Sequence, residues 1–108
     1  MEARPRKLRI FENDHGAPFP EWMDTLERKV HAIVLVRLER IEDGNLGDCK
    51  FEGDGVFELR IDFGAGWRVY FGQTGDVVIL LGGGMKRTQQ RDLPVMKDRW
   101  KEHNAKRN

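Results

Sequence analysis

The chain has 108 residues, enough for one domain with a single modest core, and its 39% hydrophobic and 34% charged residues describe a globular protein rather than a disordered one. No apolar run approaches the roughly 20 residues needed to cross a bilayer, no apolar stretch follows the basic start Met1–Lys7, and Cys49 is alone, so a membrane span, a secretory signal, an internal disulfide and a multi-cysteine metal site are not expected and a cytoplasmic location is. The formal charge of +1 is uneven: nine Lys/Arg face twelve Asp/Glu in residues 1–54, and ten face six in residues 55–108, so the second half is the one suited to phosphates, although a sequence pI of 7.9 lies below the value of about 9 usual for a nucleic-acid binder.

In chain order, Lys7-Leu8-Arg9-Ile10-Phe11-Glu12 alternates loosely and reads as a first strand, closed by the turn residues Asn13 to Pro18. Phe19, Trp22, Leu26, Val30, Ile33, Val34, Leu38 and Ile41 then recur at three- and four-residue steps, one apolar face of helix. Pro20 suits a first turn, where its missing N–H is not needed. No Gly or Pro interrupts residues 21–43, so periodicity allows one long helix or a two-helix hairpin. Gly44-Asn45-Leu46-Gly47-Asp48 closes the helical half.

The second half reads as sheet. Val56 to Phe63 alternates strictly, with Phe57, Leu59, Ile61 and Phe63 on one face and Glu58, Arg60 and Asp62 on the other. After the reversal Gly64-Ala65-Gly66, Trp67, Val69 and Phe71 point one way and Arg68 and Tyr70 the other. Val77 to Leu81 is apolar throughout, as a central strand covered on both faces would be. Gly82-Gly83-Gly84 is read as the end of the sheet, where another group needs close backbone approach. A last helix is expected from Asp92 as N-cap, with Pro94 in its first turn, Val95, Met96, Arg99 and Trp100 toward the core, and a frayed tail from Asn104. The sum is one α+β domain over residues 1–108: N-terminal helices packed on one face of a mostly antiparallel four-stranded sheet, with a C-terminal helix.

Five runs in order resemble the HigB-like branch of the RelE/ParE toxins, the addiction module killer proteins. They are Phe19-x-x-Trp22, then Arg37-Leu38-x-Arg40-Ile41-x-x-Gly44-Asn45-Leu46-Gly47-Asp48, then Gly55-Val56-x-Glu58-Leu59-Arg60-Ile61, then Gly64-x-Gly66-x-Arg68-Val69-Tyr70-Phe71, and Leu80-Leu81-x-Gly83-Gly84-x-Lys86-x-Thr88-Gln89-x-x-Asp92-Leu93. They span about residues 19–95. Trp67, Met85 and Arg87 depart from the usual pattern. The resemblance implies a RelE-like fold and a bacterial type II toxin. It also implies an antitoxin partner, often a helix-turn-helix DNA-binding protein, and cleavage of messenger RNA on the ribosome. The ParE branch instead inhibits DNA gyrase, so a toxin or inert relative acting by protein contact is the alternative.

Metal-independent RNA cleavage uses the substrate's own 2′-hydroxyl as nucleophile, and the enzyme must orient it, move protons and neutralise charge on the phosphorane. Arg60 and Arg68 share the polar face of adjacent strands, Tyr70 lies two residues beyond Arg68 on that face, and Lys86 follows the next strand. The expected roles are phosphate binding by Arg60 and Arg68, substrate orientation or base stacking by Tyr70, and phosphate contact by Lys86. Arg60 could equally form a cross-strand ion pair with Glu58 or Asp62, Tyr70 could be a half-buried sheet residue, and Lys86 a solvated loop lysine. No acid–base pair stands out: His15, His31 and His103 lie outside the five runs. Of these, only His103 is placed to reach the sheet face. Asp48, Glu52 and Asp54 read as a solvated acidic loop, and Cys49 has no partner in sequence that would make it a nucleophile. No cofactor or metal is expected.

Overall fold

The computed structural model describes residues 4–106. Strand β1 (Lys7–Ile10) is followed by helices α1 (Pro18–Met23) and α2 (Arg28–Glu42), strands β2 (Cys49–Phe51), β3 (Phe57–Ile61), β4 (Trp67–Thr74) and β5 (Val77–Met85), a 3-10 turn at Lys86–Thr88, and helix α3 (Gln89–Lys106). The strands form one five-stranded sheet in the order β1-β5-β4-β3-β2, antiparallel except for the parallel β1–β5 pair. One strand more than expected comes from β2, within the segment read as an acidic loop. Cys49 and Phe51 pair there with Leu59 and Phe57 across the hairpin.

The helical half is a hairpin. Asp24–Glu27 separate α1 from α2, and no glycine or proline is needed for the break. Instead, the Thr25 hydroxyl donates to the Trp22 carbonyl at 2.7 Å, one of the local side-chain bonds that compete with helix continuation, and Glu27 takes an extended ψ of 157°. α2 then buries Val30, Val34, Leu38 and Ile41, spaced by four, four and three residues, on the sheet. Each such side chain contributes about 1.5–3 kcal/mol of apolar burial.

The two faces of the sheet carry different cores. Leu59, Ile61, Val69, Phe71, Val78 and Leu80 meet α1 and α2. Val56, Tyr70, Ile79 and Leu81 meet Met96, Leu93 and Trp100 of α3. The helices therefore cover both faces, not one, because β5 is apolar on both sides and Val56 and Tyr70 add to the α3 side. The alternation read from β3 and β4 holds: Leu59, Val69 and Phe71 lie on the α1–α2 side and Tyr70 on the α3 side.

Gly82-Gly83-Gly84 does not end the sheet but lies inside β5. Tyr70 pairs with Gly82 while Phe71 pairs with Leu80, so Leu81 is an extra residue, a β-bulge. Leu81 packs in the α3 core, and a methyl on Gly82 would meet Met96 and Arg99 of the same helix. α3 starts at Gln89, three residues before the expected cap. Asp92 sits in its first turn, accepting from the Thr88 hydroxyl at 2.6 Å, and Pro94 lies inside the helix. Met96 is buried as expected, Arg99 and Trp100 are half-buried, and Val95 faces solvent. Residues 104–106 are helical rather than frayed; the rest of the expected frayed tail, residues 107 and 108, lies outside the described residues, as do residues 1–3 of the basic start.

Trp100 lies across bare backbone at Gly72 and Gly55, where any Cβ would overlap its ring. Gly72→Ala is therefore expected to lower stability by about 1–3 kcal/mol through overpacking. Gly64→Ala, with φ of 56° and open space around it, should cost about 1 kcal/mol from its left-handed backbone alone. Urea unfolding followed by tryptophan fluorescence measures both, and a Gly72→Ala midpoint equal to that of the unaltered chain would remove Trp100 from this seat.

Candidate functional site

Arg60, Arg68, Tyr70 and Lys86 gather near the end of the sheet marked by the Gly64–Gly66 turn, at different depths. Arg60 and Arg68 are register partners on β3 and β4. The Lys86 N–H donates to the Gly66 carbonyl at 3.1 Å, and a Cβ on Gly66 would lie 3.1 Å from Lys86 Cβ and 3.9 Å from an Arg68 guanidinium nitrogen. The sheet therefore brings Lys86 and Arg68 to the same turn. Lys86 is exposed. Arg60 is half-exposed and bonds Asp48, with two guanidinium nitrogens at 3.0 and 3.3 Å from one carboxylate oxygen, so its ion pair is with the residue just before β2 and not with Glu58 or Asp62.

Arg68 and Tyr70 lie beneath α3. Arg68 is 5% exposed and Tyr70 is fully buried. The stacking role expected of Tyr70 is therefore corrected: a phenol ring packed between the sheet and α3 offers no face to a base. Its hydroxyl has no hydrogen-bond partner among the described residues. Burial, with the nearby Glu58 and Asp92 carboxylates, pushes its pKa well above the ordinary phenol value, so it remains a proton donor.

A buried titratable group that the sequence reading did not single out is Glu58. It pairs in register with Tyr70, is fully buried, and its Oε1 lies 3.4 Å from Arg68 Nε, within ion-pair range but without hydrogen-bond geometry. The Gln89 amide donates to Glu58 Oε2 and, at 3.0 Å, to Glu52 Oε2. Glu52 comes from the β2–β3 hairpin, closed by Glu52 N–H to the Val56 carbonyl at 2.8 Å. It is 10% exposed at its side chain, not solvated as expected for that loop. Burial first, then the hydrogen bond with Glu52 and its charge, raises the Glu58 pKa, against the lowering effect of Arg68 and Gln89. A carboxyl raised in this way can hold a proton at a pH where an exposed glutamate has lost it. Two signals for it were in the sequence: Glu58 on the polar face of β3, and Gln89 just after Lys86.

The other candidates fall away from this cluster. His103 stacks on Trp100 with centroids 5.6 Å apart and lines a small cavity with Thr74, Val77 and Ile79, at the opposite end of β4 and β5 from Arg68. Cys49 donates to the Leu46 carbonyl at 3.1 Å, and burial pushes its pKa up to about 11, mainly by desolvation. Its thiolate population near pH 8 is expected to be roughly 100-fold below that of an ordinary thiol. Labelling by a disulfide reagent should be slowed accordingly in the folded chain and restored in urea; equal rates would contradict the burial.

The raised Glu58 pKa also sets a pH dependence. The folded state holds the proton above the pH at which the unfolded chain releases it, so this group's contribution is fully present below the ordinary carboxyl pKa of about 4.3 and is lost as pH rises through the folded value. Glu58→Gln, which keeps the neutral shape, should be more stable than the unaltered chain at pH 7 and show no advantage at pH 4. Urea midpoints at the two pH values measure this, and a uniform loss at both would show that the carboxyl is held ionised by Arg68.

A family model described as phage derived protein Gp49-like (DUF891) matches residues 21–101, which include every residue of this cluster. A Haemophilus influenzae protein named only "Uncharacterized protein" is 46% identical over 81 residues, covering 73% of this chain and 82% of that one. No solved structure matches. The chain belongs to the Gp49-like family, a family of toxins from toxin–antitoxin modules.

Proposed function

We propose that this chain is the toxin of a type II toxin–antitoxin pair and acts as a metal-independent endonuclease on messenger RNA at the ribosome. The observation that carries the reading is the buried Glu58 carboxyl between Arg68, Gln89 and Glu52, with Lys86 and Arg60 at its border. In this reading the ionised fraction of Glu58 takes the proton of the RNA 2′-hydroxyl as that oxygen attacks the adjacent phosphorus. Arg68 and Lys86 offset the charge on the phosphorane. The P–O5′ bond breaks, leaving a 2′,3′-cyclic phosphate, and the departing 5′-oxygen takes a proton from Tyr70 or from solvent. Arg60 holds a flanking phosphate, at the cost of loosening its Asp48 pair.

Messenger RNA reaches these groups once Gln89 leaves Glu58, since the start of α3 now covers Glu58 and Arg68. That cover favours a second reading, in which the toxin or an inert relative acts by protein contact, as gyrase inhibitors of the wider superfamily do. An antitoxin, expected as a helix-turn-helix protein, serves either reading.

The test is induction in a bacterium, followed within minutes by primer-extension mapping of an abundant message. Cuts within translated codons are expected. Glu58→Gln should reduce them roughly 10²–10⁴-fold, the usual worth of a general base, and Lys86→Ala should do so more mildly. Arg68→Ala is a poorer single control, because it leaves Glu58 buried beside an empty site. Growth arrest with intact messages and broken DNA would establish the second reading.

A further inference from the structure

A second concavity adjoins this cluster. It has a volume of about 370 Å³, lies between the α1–α2 turn and the start of α3, and includes Trp22, Trp67, Gly83, Gly84, Arg91 and Asp92 in its lining. The size falls in the range of small-molecule pockets, roughly 300–1,000 Å³. Its floor is unusual backbone. Strand β1 pairs with β5 only as far as Leu80, so from Gly82 to Met85 the outer edge of β5 has no strand partner among the described residues. Trp22 lies against bare Gly83 from one side, and Asp92 reaches over Gly84 from the other.

The lining has the chemistry of a base pocket. Trp22 and Trp67 supply aromatic surface, and the indole N–H of Trp67 is buried without an acceptor among the described residues. Asp92 supplies a carboxylate, and the Arg91 guanidinium, largely solvent-exposed, stands at the rim within 3.5 Å of it. Unstacked RNA bases are recognised by such aromatic faces, guanidinium planes and edge hydrogen bonds. The pocket is also placed for it: Arg68 is the register partner of Gly84, which Asp92 covers, and Lys86 directly follows Met85, so the cleft borders the two cations and a base seated here would hang from a phosphate near them.

We infer that this cleft binds one unstacked base of the RNA, next to the scissile phosphate, and sets the base preference of cleavage. The inference rests on the nuclease reading above, and it assigns Trp22, Trp67 and Arg91 as specificity-determining rather than catalytic residues.

Cleavage maps across many messages test it, with the unaltered chain compared with Trp22→Phe, Trp22→Ala and Arg91→Ala. The expected result is a base preference at a fixed position beside the cut. That preference should persist in Trp22→Phe and fall roughly ten-fold or more in Trp22→Ala and Arg91→Ala, while total cutting falls less. Arg91→Ala keeps the test valid if Trp22→Ala fails to fold, because Arg91 is exposed. Cuts with an unchanged preference in all three variants would overturn the inference and leave the nuclease intact. Loss of antitoxin binding with an unchanged preference would likewise overturn it and assign the cleft to the protein partner. Absence of cuts in the unaltered chain would overturn both readings.

Discussion

The bare backbone of β5 is the constraint on which the working end of this molecule depends. Gly82, Gly83 and Gly84 present no side chains where three separate groups arrive: Met96 with Arg99 over Gly82, Trp22 against Gly83, and Thr88 with Asp92 over Gly84. The faces alternate, so the same three residues let α1 close on one side of the sheet and α3 on the other. A single Cβ at any of them would hold a helix off its face. The bulge at Leu81 is part of the same device, since it turns two consecutive residues toward α3 and leaves Tyr70 opposite a glycine. Met96 and Arg99 of α3 close over that glycine, so a residue on the polar face of β4 is fully buried.

What α3 covers is costly to cover. A carboxyl, a guanidinium and a phenol are withdrawn from water together, and ionised groups in that position lose several kcal/mol of hydration each. The structure offsets part of this with the Gln89 amide, shared between two carboxylates, and with the 3.4 Å approach of Arg68 to Glu58. The offset is incomplete: the Tyr70 hydroxyl, Glu58 Oε1 and Arg68 Nε all lack hydrogen-bond partners among the described residues. Polar groups left short of partners inside a fold cost stability, and such a cost is commonly tolerated where the groups serve a reaction. In the proposed nuclease reading, that cost is the one the reaction requires.

Much of the fold was legible because its period was plain. Phe57, Leu59 and Ile61, then Val69 and Phe71, alternate without error, and Val30, Val34, Leu38 and Ile41 keep helical spacing. What was not legible depended on contacts between distant segments. Nothing local in Cys49-Lys50-Phe51 marks a strand; it becomes one because the β2–β3 hairpin lays it on Phe57–Leu59. The α1–α2 break follows from Thr25 turning its hydroxyl back on the chain, a choice periodicity does not encode. At the site, Arg60, Arg68, Tyr70 and Lys86 were selected as cations and an aromatic on one face, and the sheet does bring them to one end. Their depth was invisible, because it is set by α3 crossing above them. So was the role of Glu52, whose carboxyl acquires significance only beside Glu58 and Gln89.

The division of these residues into an outer and an inner tier also reconciles the near-neutral pI with the proposed RNA substrate. A protein that searches for nucleic acid by long-range attraction needs a large basic surface. A toxin delivered to message already threaded through a ribosome needs only local charge, since the encounter is arranged by the larger particle. In that reading exposed Lys86 supplies local charge at the surface, and Arg60 adds to it when its Asp48 pair loosens, since exposed charges act over only roughly 8 Å at physiological ionic strength. Arg68 and Glu58 wait below, in a medium where each charge acts more strongly because water is absent. On this argument the step that exposes the inner tier, and not attraction to RNA, limits when the site works. Gln89 is the residue whose two hydrogen bonds must break for that to happen.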